Sequence, residues 1–314
     1  MLKVSSSLPD IAVLRGGDKD FKKSLQTGGE VLASLKKIGY QPVDVLIQKD
    51  GTWTTLGSPT DPHTIFTRSH NVIDTTEMSD KPYHALADKL GLTIHFSRQE
   101  KRYLDREDIY RVLRQNNIKV PKTIMIRSRE ALNASVFRNI WTTLHTPLLI
   151  RPVSPYKNFE SKLVRSFHEL EFFIKDYHQK GVDVHVLTYR DNVQLSSIAV
   201  LPSFRDQEVY TPLWVDVFHE GDTPPNKEST FLPHTHAPLL KKEKVSALMQ
   251  KISNVFHFKK PMLVDFITHN NELHVVTVDF YPSLKNDGRF MKSLATTGVD
   301  IGHYIHNIVI KDVQ

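Results

Sequence analysis

Apolar positions along this chain fall into short strand-length runs and longer helical stripes, and the two alternate. "IAVLRGG" (Ile11 to Gly17) is an apolar run closed by paired glycines. In the "SLQTGGEVLASLKKIGY" that follows, Leu25, Val31, Leu32, Leu35 and Ile38 fall at helical spacing. Strand, loop and helix are expected in that order, and the loop after the first strand is where a parallel α/β unit presents groups to a ligand. "VDVLIQ" (Val43 to Gln48) predicts a second strand and "TIFTRSH" (Thr64 to His70) a third. "KPYHALADKLGLTIHFS" reads as a helix stopped at Gly91 and then a short strand, and "LDREDIYRVLRQNNIKVP" as a helix with Asp105 at its N-cap. "TIMIR", "PLLIRPV" and "KLVRS" follow as strands. Helices are expected between them, from about Glu130 to His145, and after them in "FHELEFFIKDYHQKG".

Beyond residue 182 the pattern turns to β: "DVHVLTYR", "VQLSSIAVLPSF" and "EVYTPLWVDVF" are strands. A Pro-rich loop from Glu220 to Pro238 is the stretch expected to be most mobile. A long helix (Lys241 to His257), a hairpin in "MLVDFITHNNELHVVTVDFYPSL" (Met262 to Leu284) and two closing helices complete the chain. At 314 residues it exceeds the commonest single core, and the expected division is an N-terminal α/β domain (1–84), a middle domain (85–181) and a C-terminal domain (182–314).

Composition narrows the function classes. With 39% hydrophobic and 24% charged residues, the chain has neither a disordered nor a membrane balance, and no apolar run approaches bilayer length. The opening "MLKVSSSLPDIAVLRGG" carries one lysine and a four-residue apolar run, so no cleaved signal and a cytoplasmic chain are expected. Without cysteine, disulfides, thiolate catalysis and Cys-ligated zinc are excluded. The net charge of +6 is spread among acids, as in "SRQEKRYLDRED", which suits a solvated basic surface and an anionic small molecule better than nucleic acid. His234 and His236 could share a strand face, but with no acid close in sequence they read as ordinary exposed histidines.

The closing hairpin poses a sharper question, because Asp265 and Asp279 interrupt apolar, β-branched runs. A strand aspartate is costly to bury unless it is hydrogen-bonded, paired or bound to a cation. Either the two are satisfied structural residues or they hold a metal. Three α/β pieces ending in "VDF" on one strand and "VDFYPSL" on the next resemble the ATP-grasp proteins, specifically the D-alanine-D-alanine ligase family. The order of elements matches along nearly the whole chain. Gly16, Gly17, Asp20 and Ser24 take the places of the family's first loop, a Gly-Gly followed by an acid and a serine over the active site. Leu104, Asp105 and Arg106 resemble its Met-Asp-Lys, and Ile150, Arg151 and Pro152 its Val-Lys-Pro, so two nucleotide lysines become arginines. Arginine keeps the charge and can fork onto phosphate.

Other positions depart from the family. Its Gly/Ser-rich phosphate loop is "VSPYKNFESK" here, glycine-free and with Lys157 as the one evident phosphate partner. The nucleotide hinge has Asp191 as its only acid. In the hairpin, Leu263 stands at the family's arginine and Thr277 at its bridging glutamate, while Asp279 stands at its asparagine. The resemblance implies an ATP-grasp fold with the site between its domains. It implies nucleotide contacts from Gly16, Gly17, Arg106, Arg151 and Lys157, loop chemistry from Asp20 and Ser24, and Mg2+ on Asp265 and Asp279.

Two functions are consistent with these residues. One is an ATP-dependent carboxylate-amine ligase acting through an acyl phosphate, with ATP, Mg2+ and a small amino or hydroxy acid as partners. The other is a degenerate relative that binds a ligand or partner without turnover. A homodimer is left open, and neither nucleic acid nor membrane is expected. The hairpin's register separates the cases. A two-residue Asn270-Asn271 turn would set Asp265 opposite Val276 and send Thr277 and Asp279 to the other face. A three-residue loop with a left-handed asparagine and a bulge would put all three on one face, and that odd-numbered loop is the expectation.

Overall fold

The structure, a computed structural model, describes residues 10–69, 71–76, 78, 81–96, 106–153, 160–189, 194–218, 230–233 and 239–313. In chain order the elements are β1 (Ile11–Gly16), α1 (Phe21–Lys37), β2 (Val43–Ile47), β3 (Trp53–Thr55), β4 (Ser58–Pro59), α2 (Pro62–Arg68), β5 (Asn71–Asp74), α3 (Tyr83–Lys89) and β6 (Thr93–His95). Then come α4 (Arg106–Gln115), β7 (Thr123–Ile126), α5 (Ala134–Thr143), β8 (Leu148–Pro152), β9 (Lys162–Val164), α6 (Phe167–Gln179), β10 (Val184–Thr188) and β11 (Leu195–Phe204). Last are β12 (Gln207–Tyr210), β13 (Val215–Phe218), β14 (Thr230–Pro233), α7 (Leu239–Phe256), β15 (Met262–His269), β16 (Glu272–Asp279), α8 (Arg289–Ala295) and α9 (Ile301–Val313). Among the described residues no helix is long and apolar enough to cross a membrane.

Packing divides the chain into two compact units, the first of residues 1–99, 204–206 and 281–314 and the second of 100–203 and 207–280. Most of the expected middle and C-terminal domains fall together in the second. The first unit is built on the sheet β4-β3-β2-β1-β5-β6, in which β2, β1, β5 and β6 run parallel. Ala12, Leu14, Val45, Ile47 and Val72 form one buried face with Phe66, Tyr83 and Trp53. The third parallel strand is β5, one segment later than the sequence suggested, because Thr64–Arg68 belongs to helix α2. Pro62 at its first position, behind Asp61 at the N-cap, is what a helix start tolerates best and a strand least.

The second unit holds two sheets. In β7-β10-β8-β9, Val184 and Val186 face a core made with α5 and α6, where Ile140, Leu170 and Ile174 are fully buried. Strand alternation turns His185 to the opposite face. The other sheet runs β14-β13-β11-β15-β16, with β12 paired to β11. "EVYTPLWVDVF" is two strands, interrupted around Pro212, which has no N–H to donate to a ladder. Part of the expected Pro-rich loop, Thr230–Pro233, is the edge strand β14, and the rest of that stretch lies outside the described residues.

Candidate functional site

The Gly16-Gly17 loop of the first unit is closed upon itself. The Ser24 hydroxyl, on a side chain 1% exposed, accepts from the Gly16 N–H at 2.7 Å and donates to the Thr75 carbonyl at 2.7 Å. Gly17 N–H donates to the Ile47 carbonyl at 2.9 Å. Gly16 has φ +99°, and a Cβ there would lie 2.1 Å from the Ile47 oxygen, so close approach of two strands demands glycine. Asp20 is the exposed N-cap of α1, its carboxylate accepting from the Lys23 N–H at 3.3 Å. Each of these four residues has a partner inside the first unit.

In the second unit, charge is gathered differently. Arg151 on β8 lies directly across from His185 on β10, which puts both side chains on one face. Helix α4 covers that face. Its first residue, Arg106, donates through Nη1 to the Pro152 carbonyl at 3.1 Å, while the Tyr110 ring stacks on His185 with centroids 5.9 Å apart and 18° between planes. The two guanidinium groups repel. Arg151 beside it is the largest influence drawing the Arg106 pKa down to about 10, with burial adding to it, whereas Tyr110, Asp265 and Asp279 act in the other direction.

His185 is the anomaly of this cluster. It is fully buried, and among the described residues neither ring nitrogen has a hydrogen-bond partner. Its Nε2 lies 3.2 Å from a Glu107 carboxylate oxygen without the alignment of a hydrogen bond. Burial, then Arg106, Arg151 and Arg114, hold the imidazole at a pKa of about 4, so it is neutral and the close carboxylate is not an ion pair.

The hairpin resolves its register in a way the sequence did not suggest. Asn270 and Asn271, with φ of 49° and 60°, form a two-residue turn between His269 and Glu272, as a type I′ turn requires. The expected three-residue loop is therefore corrected. The carboxylates nevertheless share a face, because the ladder shifts by one between Asp265 and Phe266: Phe266 pairs with Val275, Asp265 with Thr277 and Leu263 with Asp279. Val276 is the extra residue of a bulge. Asp265, 6% exposed, accepts from the Ser197 hydroxyl of β11 at 2.6 Å. The Thr277 hydroxyl donates to the Val276 carbonyl at 2.7 Å.

Among the described residues no three His, Asp or Glu side chains gather as metal ligands. Asp265 and Asp279 share a face, and two carboxylates suit one Mg2+ completed by phosphate oxygens and water, not two ions. Both act on Arg106 electrostatically, which ties the hairpin's carboxylates to the first residue of α4. Lys157, Leu104, Asp105, Asp191, His234 and His236 lie outside the described residues. His185, Tyr110 and Ser197 belong to no motif. The one signal for His185 is a single polar residue in the apolar run "VHVL".

This arrangement can be compared with solved structures. A D-alanine-D-alanine ligase from Bacillus anthracis complexed with ATP matches with TM-score 0.73 over 97% of this chain and 98% of that one, at 16% identity. VanG D-Ala:D-Ser ligase from Enterococcus faecalis matches with TM-score 0.75 over 96% and 98%, at 15% identity. The fold is that of the D-alanine-D-alanine ligases. The ligase from Coxiella burnetii agrees, with TM-score 0.73 over 97% of this chain and 94% of that one. In sequence, the chain matches no protein-family model and no curated protein. This D-alanine-D-alanine ligase fold is the ATP-grasp fold, and on it Arg106 lies at the start of α4, Arg151 on β8, Leu263 on β15 and Thr277 on β16.

Proposed function

We propose that the chain is an ATP-dependent carboxylate-amine ligase of D-alanine-D-alanine type. The observation that supports it is that Arg151, Asp265 and Asp279 all lie within electrostatic reach of Arg106. Two cations held side by side against their own repulsion suit an anion of multiple charge, and forked guanidinium groups suit phosphate oxygens. Asp265 and Asp279 would hold one Mg2+, which when bound supplies charge neutralisation on the nucleotide's phosphates. A substrate carboxylate takes the terminal phosphoryl group of ATP, ADP leaves, and an amine displaces phosphate from the acyl phosphate to give the amide. Arg106 and Arg151 bind and orient the anion, Ser197 fixes the Asp265 carboxylate, and Gly16, Gly17, Asp20 and Ser24 set the shape of their own loop in the first unit. Lys157 joins the phosphate partners in this reading, and the substrates are a nucleotide and a small amino or hydroxy acid.

A second reading, ligand binding without turnover, is favoured by Leu263 and by Thr277, whose hydroxyl is turned onto its own strand at Val276. Losing one aligned group that stabilises developing charge costs roughly a hundred- to a thousandfold in rate. Calorimetric titration with ATP and Mg2+, alongside phosphate release with D-alanine, separates the two. Binding with turnover is expected. Binding without release selects the second reading, and absence of nucleotide binding removes the ligase and leaves a scaffold that takes another ligand or partner. Arg151→Ala should lower ATP affinity at least tenfold, about 1.4 kcal/mol, and leave thermal stability unchanged or raised, since it relieves the repulsion on Arg106.

A further inference from the structure

The bulge that brings Asp265 and Asp279 to one face is not written into the turn, so something else must hold it. Val276, the extra residue, has a carbonyl with two hydroxyl donors: Thr277 from the same strand, and Tyr110 from α4, whose Oη donates at 2.7 Å. Its neighbour Val275 sends its N–H to the Lys119 carbonyl at 2.8 Å, so the segment after α4 takes up a second backbone group at the break in the ladder. Tyr110 is fully buried, its ring stacked on His185 on one side and met by the Arg114 guanidinium 5.6 Å from its centroid. Its single proton is committed to Val276. One residue thus touches the sheet that carries Arg151 and the strand that carries Asp279, in the middle of the second unit.

We propose that Tyr110 is a positioning residue of this site: its hydroxyl clamps the Val276 bulge and so keeps the Asp265 and Asp279 carboxylates in the one-face register that lets them serve a cation beside Arg106 and Arg151. The inference rests on the ligase reading for what the carboxylates do, but the clamp itself is a statement about register. Without the bulge, Asp265 would face Val276 and the two acids would part to opposite faces. Tyr110 never touches substrate. Its effect passes through the hairpin backbone, and the arginine pair does not depend on its hydroxyl.

The test is Tyr110→Phe in the full chain, which keeps the ring, its stack on His185 and its contact with Arg114, and removes the clamp alone. Affinity for ATP is measured by calorimetry with and without Mg2+, and backbone hydrogen exchange is followed along the hairpin. Wild type should bind ATP more tightly with Mg2+. The variant should keep its metal-free affinity within about twofold and lose about tenfold of the Mg2+-dependent gain, the scale of one well-placed hydrogen bond. Exchange should quicken at least tenfold at Thr277 to Asp279 and stay unchanged at Ile267 to His274. An undiminished Mg2+ gain, or an equal loss in both arms, overturns the proposal. If wild type binds no ATP at all, the ligase reading fails and exchange alone decides the clamp: protection at Thr277 to Asp279 equal to wild type overturns it.

Discussion

The glycine loop of the first unit and the arginine-histidine cluster of the second are both built from polar groups in apolar surroundings, yet they are finished to different degrees. In the loop every named group is answered: Gly16 N–H by Ser24, the Ser24 proton by Thr75, Gly17 N–H by Ile47. Nearby Asp74, 3% exposed, accepts from the Thr76 N–H and hydroxyl, Lys81 and Tyr83. In the cluster, two arginines repel and a fully buried histidine has two nitrogens without a hydrogen-bond partner among the described residues. Buried polar groups are normally satisfied, so a satisfied group is explained by the fold, whereas one unsatisfied among the described residues calls for a partner beyond them. The more recognisable motif is the better-built scaffold, and the less recognisable cluster is the better candidate for binding.

If that contrast is sound, substitutions in the loop should cost stability and those in the cluster should not. Gly16→Ala is expected to show the largest effect, about 3–4 kcal/mol of destabilisation in a denaturant titration, from overpacking on Ile47 together with a positive φ. An effect below about 1 kcal/mol would mean that β1 and β2 part easily there. His185 comes next. Its folded pKa of about 4 lies below the unfolded value near 6.5, so between those values the unfolded chain binds the extra proton and stability rises with pH. The rise is on the order of 3 kcal/mol from pH 4 to pH 6.5, flat outside that window. His185→Leu should remove this share of the pH dependence and cost no stability at pH 7, because no hydrogen bond is lost. A destabilised leucine variant with an unchanged pH profile would show that the imidazole has a partner after all. Ser24→Ala is the smallest, about 2 kcal/mol, as the Gly16 N–H and Thr75 carbonyl lose their partner. ATP binding in that variant should match wild type, and a loss of affinity beyond about threefold would move Ser24 from scaffold to site.

Most elements were legible because their periodicity is local. β1, α1, β7, β8, α6 and both strands of the hairpin follow from spacing and punctuation, and the resemblance carried by Gly16, Arg151 and the two "VDF" strands reached the fold. What escaped depends on distant partners. Thr64 to Arg68 has a strand-like composition, and a proline and an aspartate before it decide for helix. The parity of the hairpin turn says nothing of a bulge six residues away, which needs α4 to complete it. His185 shows as one polar letter among apolar ones, and only the register against Arg151 and the arrival of Tyr110 reveal that its nitrogens go unmet among the described residues.

The two-residue Asn270-Asn271 turn and the displaced bulge also bear on how the second unit assembles. A hairpin closes from its turn within microseconds, and pairing from His269–Glu272 up to Phe266–Val275 needs nothing beyond the hairpin itself. Past Val275 the unaided ladder would continue in the wrong parity, and the break that corrects it draws on Tyr110 and Lys119, some 160 positions earlier in the chain. The half of the hairpin that bears the carboxylates is therefore fixed by the slowest kind of contact, the long-range one, and becomes defined only when α4 has docked.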